Sequence, residues 1–128
     1  YQPSDQELDT LAKAIYSEAR GESYTGQVAV GAVILNRVVS AKFPNTIDGV
    51  VYQRTNGSYA FSAVLDGQIH LTPNQQAYQA AKDALNGWDP AQGALYYYNP
   101  VTATAEWIFN HTVPTKRIGS HVFAKRRG

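Results

Sequence analysis

Ten acidic residues, three histidines and nine tyrosines are the groups with which this 128-residue chain could move protons. Most of the carboxylates fall where carboxylates cap helices, close turns or face solvent: Asp5, Glu7, Asp9, Asp48, Asp66, Asp83, Asp89 and Glu106. Glu18 does not. It lies in Ser17-Glu18-Ala19-Arg20-Gly21-Glu22, at the end of a segment where Leu8, Leu11, Ala12, Ile15 and Ala19 share one helical face. At about 100° per residue it lands about 20° from Leu11, on the border of that apolar stripe. Burying a carboxyl group there penalises its charged form. A glutamic acid kept protonated near neutral pH is what glycosidic cleavage requires, because the leaving oxygen must receive a proton. The competing reading is an ordinary ion pair with Arg37 or Arg20. Glu22, four residues on, has three possible uses: orienting Glu18, holding a substrate hydroxyl, or pairing with Arg20 or a helix N-terminus.

Other chemistries lack their residues. The absence of cysteine removes a thiol nucleophile, a disulfide framework and a Cys-based zinc site. His70, His111 and His121 lack metal-ligand spacing and His-Glu-x-x-His is absent, so no metal and no cofactor are expected. A Gly-x-Ser-x-Gly elbow, a Walker A loop and a dinucleotide fingerprint are absent as well. A net charge of +1 is too balanced to make nucleic acid the main partner, and Lys125-Arg126-Arg127 reads as a frayed terminus. No run approaches the roughly 18 uncharged apolar residues of a membrane span. At 44% hydrophobic the chain fills one core, so residues 1–128 read as a single domain. No signal peptide or initiator Met precedes Tyr1, which suggests a processed or excised domain. The tyrosines suit wet grooves and sugar contacts.

The elements that must position Glu18 follow from the local pattern. Ser4-Asp5-Gln6-Glu7, after Pro3, is a capping box, and Gly21 is a helix stop. A second helix, capped by Ser23 or Thr25, runs from about Gly26 to Ser40. Its uncharged centre, Val28 to Leu35, is rich in β-branched residues, so a buried strand is the rival, but length favours a helix. Gly31 would admit a close neighbour, while Asn36 and Arg37 need polar partners at a buried end. Thr46 caps a short helix holding Ile47, Val50 and Val51. Asn56-Gly57 and Asp66-Gly67 mark turns around Tyr59 to Val64, a short strand or a loop. Thr72-Pro73-Asn74-Gln75 starts a helix with Thr72 as its cap, ending at Gly87 and turning Ala77, Tyr78, Ala81 and Leu85 inward. Ala94 to Tyr98 is a strand that sends Tyr97 to one face and its neighbours to the other. Glu106 to Phe109 is ambiguous, and Val113 to Ile118 with His121 to Ala124 forms a hairpin around Gly119. Helices first and strands last is the α+β pattern, with a cleft expected between a helical part and a small antiparallel sheet.

Taken together, Glu18-Ala19-Arg20-Gly21-Glu22, Gly26-Gln27-Val28-Ala29-Val30 and Leu35-Asn36-Arg37 resemble the SleB/CwlJ family of cell-wall hydrolases. Phe43-Pro44, Val50-Val51, Phe61-Ser62, Gly93-Ala94, Asn99-Pro100, Trp107 and Ile118-Gly119-x-His121-x-Phe123 follow in the family's order and cover nearly the whole chain. The family's usual aromatic after Phe-Ser is Ala63 here.

The resemblance implies a lysozyme-like, lytic-transglycosylase-like fold. It also implies an exported peptidoglycan lytic transglycosylase acting on spore cortex, whose glycan carries muramic lactam, during germination. Such an enzyme cleaves between N-acetylmuramic acid and N-acetylglucosamine and leaves a 1,6-anhydro end. The family's catalytic glutamate maps onto Glu18, and full-length members often carry a separate N-terminal peptidoglycan-binding domain. Expected partners are peptidoglycan strands at the cortex and the inner spore membrane periphery, met by a monomer. Gln27, Asn36, Ser62 and Asn99 are the polar residues of these motifs, suited to acetamido groups or to holding Glu18. Tyr97, Tyr98 and Trp107 are suited to stacking on sugars, and Phe61 and Glu22 stand in the same site. His121 either contacts substrate or pins the hairpin. Because the nucleophile belongs to the substrate, one carboxyl group serves as acid and then base. A retaining or inverting hydrolase normally needs a second carboxylate, and Glu22 is the visible candidate. A hydrolytic muramidase and a non-catalytic peptidoglycan-binding module are the alternatives.

Overall fold

The uncharged centre of the chain is a helix. A computed structural model describes residues 4–55, 57–103 and 106–127, so Pro3 and Asn56, expected at a cap and a turn, lie outside the described residues. Helix α1 (Asp5–Ala19) begins with the full capping box, Ser4 Oγ accepting from Glu7 N and Glu7 Oε1 from Ser4 N. Helix α2 (Tyr24–Val38) is capped by Ser23, whose Oγ accepts from Gly26 N at 3.2 Å. Residues 26–34 of α2 are buried without interruption because both sides are covered. Val28 and Ile34 face a cluster with Leu11, Ile15 and the alanines of a later helix, while Ala29, Val30 and Val33 face Phe123, Ala91 and Ala94. A fully buried valine, leucine or isoleucine contributes about 1.5–3 kcal/mol, and a helix packed on two sides collects that from both. Gly31 is where the helices touch: a Cβ there would stand 2.9 Å from Ile15 Cδ1 and 3.3 Å from Ala84 Cβ.

Helix α3 (Ile47–Val51) is capped by Thr46. The segment expected to be a strand or loop divides instead. Tyr59 closes a two-residue ladder between β1 (Arg54–Thr55) and β2 (Ser58–Tyr59), and Ser62–Asp66 is a short helix, α4. Five residues are too few for periodicity to show, and Gly67 at φ 83° stops the helix. A 3-10 turn follows at Gln68–His70. Helix α5 (Gln75–Leu85) starts two residues later than the Thr72 cap predicts. Asn74 Oδ1 caps Ala77 N at 2.8 Å, which leaves Pro73 ahead of the cap.

The carboxy-terminal third is a three-stranded antiparallel sheet in the order β3-β5-β4, made by β3 (Tyr96–Tyr98), β4 (Thr112–Ile118) and β5 (His121–Arg126). Helix α6 (Glu106–His111) precedes β4 and resolves the ambiguous segment. Pro114 lies on the edge strand β4, opposite Ala124 and next to a bulge before Lys116, where a residue without an N–H is tolerated. The basic tail is not frayed. Thr112 and Val113 pair with Arg126 and Lys125, and Arg127 N donates to His111 O at 2.8 Å.

Candidate active site

Glu18 stands in the last turn of α1, partly accessible, where the helices meet the sheet. Its hydrogen-bond partner is the phenol of Tyr97, the middle residue of β3, whose hydroxyl donates to Glu18 Oε1 at 2.6 Å. The expected ion pairs do not form. Arg37 Nε donates to Leu95 O at 2.8 Å, and an Arg20 guanidinium nitrogen donates to Gln68 Oε1 at 2.7 Å. Glu18 makes no salt bridge among the described residues.

Tyr97 is held by rings. It faces Phe61 at 6.5 Å, Phe123 at 5.9 Å and the His121 imidazole at 5.0 Å between centroids. Burial, then the Glu18 charge and the hydrogen bond to it, push the Tyr97 hydroxyl well above the ordinary tyrosine value, against a smaller opposing effect of Arg37. It is therefore a fixed donor across the neutral range. Strand alternation produces this placement: Tyr97 points to the helices, while Tyr96 packs on Phe43 and Trp107 and Tyr98 on Phe109. Arg37 braces the arrangement from below, with its guanidinium carbon 4.7 Å from the Phe43 ring centre and 5.5 Å from those of Phe61 and Tyr96. Burial holds its pKa below the usual arginine value, opposed by Tyr97 and Tyr96.

Glu22 takes a different role from Glu18. Its Oε2 accepts from Ser120 Oγ at 2.6 Å and its Oε1 from Ser120 N at 3.2 Å, with His121 Nδ1 3.9 Å from Oε1. The Ser120 hydroxyl, helped by the Ser120 amide and by His121, lowers the Glu22 pKa against the opposing effect of burial. Glu22 is thus an anion clamping the β4–β5 turn to the α1–α2 junction. Gly119 completes the clamp: its φ is +58°, and a Cβ there would lie 2.7 Å from Glu22 Oε1.

The remaining expected site residues divide between this junction and other places. Phe61 is 3% exposed and backs the Tyr97 ring, and Ser62 is exposed at the start of α4 beside it. Gln27 is 2% exposed, and its amide donates to Glu22 O at 3.1 Å and Gln76 Oε1 at 2.9 Å. Asn36 donates to Asp89 Oδ2 and Ala94 O and lines a separate groove of about 370 Å³ with Trp88. That groove is ten residues along α2 from Gly26, about 15 Å at the helical rise. The NH2 groups of both amides are committed inside the fold. Asn99 organises the turn after β3, its Oδ1 accepting from Val101 N at 2.9 Å. Tyr98 and Trp107 sit on the sheet face opposite Tyr97. The sequence reading missed Ser120 and the Tyr97–Glu18 bond. The serine's signal was its place beside Gly119 in a hairpin turn.

Comparison with known proteins shows the family and the fold. A family model described as Cell Wall Hydrolase matches residues 21–124. The spore cortex-lytic enzyme of Bacillus cereus is 55% identical over 122 residues, covering 95% of this chain and 45% of that protein. Its Bacillus subtilis counterpart is 52% identical, with 95% of this chain and 38% of the relative covered. The chain thus spans less than half the length of these curated relatives. The solved catalytic domain of the germination-specific lytic transglycosylase SleB from Bacillus anthracis superimposes with a TM-score of 0.87 at 54% identity, covering 96% of this chain and 97% of that one. The α+β class expected from the element order and the lysozyme-like fold implied by the resemblance are both shared with that domain. With the family model spanning all but the first helix and the last few residues, the chain belongs to the cell wall hydrolase family, of the SleB/CwlJ type.

Proposed function

We propose that this chain is the catalytic domain of an exported spore cortex-lytic enzyme that cleaves peptidoglycan by lytic transglycosylation, with Glu18 as its single acid and base. The observation that carries the reading is the contrast between two carboxylates of one motif. Glu18 is partly accessible and held by one protonated phenol, whereas both oxygens of Glu22 are engaged by Ser120 and faced by His121. Similarity to a domain named as a lytic transglycosylase supports the reaction class.

In this reading the glycan strand lies between the helices and the sheet. Protonated Glu18 delivers its proton to O4, the oxygen joining muramic acid C1 to N-acetylglucosamine C4. The C1–O4 bond breaks, oxocarbenium character develops at C1, and Glu18 becomes a carboxylate. Tyr97 donates to that carboxylate and meets the charge as it forms. The muramic C6 hydroxyl then attacks C1 while Glu18 takes its proton, which closes the 1,6-anhydro ring and regenerates the acid. No second carboxylate is required, consistent with the engagement of Glu22 in the hairpin clamp.

The test is Glu18→Gln with mass spectrometry of fragments released from cortex. The wild type should release muramic ends lighter by one water, and the variant should lose about 10²–10⁴-fold in rate while keeping its fold. Reducing ends would make the enzyme a hydrolytic muramidase. A near-normal rate for Glu18→Gln would remove Glu18 from the chemistry, and a wild type that binds peptidoglycan without releasing fragments would be a binding module.

A further inference from the structure

The two halves of the chain carry opposite charge. Beyond residue 89 there are five basic residues, Lys116, Arg117, Lys125, Arg126 and Arg127, and one acid, Glu106. The preceding residues hold the other nine acids against six bases. All five cations are exposed, and none of them forms a salt bridge among the described residues. An excess of like charge on one part of a fold raises the potential over its surface and attracts anions. The contacts of Arg117 and Arg126, a hydrogen bond from Arg117 Nε to Gly119 O and the Trp107 ring, leave their charge unneutralised.

The strand register shows where the charges sit. Tyr98 pairs with Val122 and Val122 with Arg117, while Tyr96 pairs with Ala124, two residues from Arg126. Directly opposed residues share a face and alternate residues return to it. Arg117 and Arg126 therefore stand on the outer face, opposite to the one from which Tyr97 reaches Glu18. Aromatic side chains lie on the same face. The Arg126 guanidinium carbon is 5.5 Å from the centre of the Trp107 ring, and Trp107 stacks at 10° and 4.7 Å on His111. Trp107 and Phe109 are 45% and 43% exposed.

We infer that this outer face is a second grip on the wall polymer, binding the carboxylates of its peptide side chains while the strand itself runs past Glu18. The inference rests on the proposed peptidoglycan substrate, since it assigns a part of that polymer to a second surface. Guanidinium groups match carboxylates in a two-pronged geometry. The rings are packed against one another and against β3 rather than projecting outward, and α6 has only six residues, which suits a fixed polymer contact better than insertion into a lipid surface.

The experiment measures co-sedimentation with purified peptidoglycan sacculi in the Glu18→Gln background, so that binding is read without cleavage and independently of the role of Glu18. Arg117→Glu/Arg126→Glu should weaken binding about tenfold, as two exposed attractive contacts become repulsive. Amidating the sacculus carboxyls should weaken binding of the Glu18→Gln protein by a similar factor, and raised salt should do so in proportion to screening. Lys42→Glu/Lys82→Glu changes net charge equally at exposed positions, one in the turn after α2 and one on α5, and should leave binding within about twofold. Thermal melts confirm that each variant is folded. Unchanged binding of the arginine variant overturns the inference, as does equal weakening by the lysine variant. Co-sedimentation with anionic phosphatidylglycerol vesicles that depends on these arginines, with sacculus binding unaffected, overturns it in favour of a membrane contact.

Discussion

Replacing Tyr97 with phenylalanine removes one oxygen and tests the central claim of the site. The ring contacts with Phe61, His121 and Phe123 survive the change, and Glu18 loses a 2.6 Å hydrogen bond. A hydrogen bond to a charged group is worth about 1.5–3 kcal/mol. It strengthens as Glu18 gains negative charge, so catalysis receives only the part realised at the transition state. If half of that charge has developed there, the loss is about 0.8–1.5 kcal/mol, and if all of it has, the full value applies. The expected fall in kcat is therefore about 4-fold at the least and about 150-fold at the most. KM should change by less than about twofold, because the phenol is committed to Glu18 and not to the sugar. The assay is release of soluble muropeptides from cortex under saturating substrate, with a thermal melt alongside. The melt should move little, because Glu18 is partly accessible and water can replace the donor. A kcat within twofold of wild type would refute the reasoning. A rise in KM alone would mean that Tyr97 serves substrate binding instead.

Gly119→Ala should cost about 1–3 kcal/mol of stability by denaturant titration, since alanine is strained at positive φ and its Cβ meets Glu22 Oε1 at 2.7 Å; an unchanged midpoint would show the clamp to be slack. Stability should also fall at both ends of the pH scale. Glu22 and Asp9 have pKa values lowered from 4.5 and 3.8 by Ser120 and Tyr78 respectively, so their contribution is complete above those values and is lost as acid protonates them. Tyr24, donating to Asp83, is raised from 10.0 to about 12 by burial first and by Asp83 second, so the unfolded chain ionises first and stability drains away above pH 10. Melts of Glu22→Gln and Tyr24→Phe across pH should each flatten one limb, and parallel curves would contradict the assignment. A double-mutant cycle of Glu22→Gln and Tyr97→Phe on kcat should show coupling above about 0.5 kcal/mol if the clamp acts through the His121 and Tyr97 rings; simple additivity would separate the two.

What the sequence made legible was whatever depends on neighbours along the chain. The Ser4–Glu7 box, the Ser23 and Thr46 caps, the hairpin at Gly119 and the close approach at Gly31 all appear where local chemistry demanded them. Glu18 could be singled out because helix periodicity places it against Leu11. Of the helices of five or six residues, α3 was legible from its Thr46 cap, whereas α4 and α6 escaped because so few positions carry no period. The partners of polar groups escaped for a different reason. Tyr97 and Glu18 are 79 residues apart, and Ser120 and Glu22 are 98 apart, so nothing local ties one to the other. Asn36 and Arg37 were legible as polar groups in need of partners. That those partners are Asp89 and the Ala94 and Leu95 carbonyls depended on how α2 packs.

Glu18 and Glu22 show how far identical chemistry can be separated by surroundings. They lie one helical turn apart in sequence, yet α1 ends at Ala19 between them, so they leave the backbone in different contexts. The carboxylate before the helix end meets a sheet residue whose hydroxyl supplies a single proton to one oxygen. The one after it meets a turn that offers a hydroxyl and an amide together, with an imidazole beyond. Two donors and a neighbouring ring hold Glu22 as an anion, and a group that stays charged cannot deliver a proton. One donor leaves Glu18 with lone pairs open to whatever enters between helices and sheet, which is the condition for accepting and returning a proton in one catalytic cycle. The hairpin is thereby tied at its tip by Glu22, and its inner strand sets β3, which carries Tyr97 to Glu18. In the proposed mechanism the charge of Glu22 is a positioning element for the donor that serves Glu18.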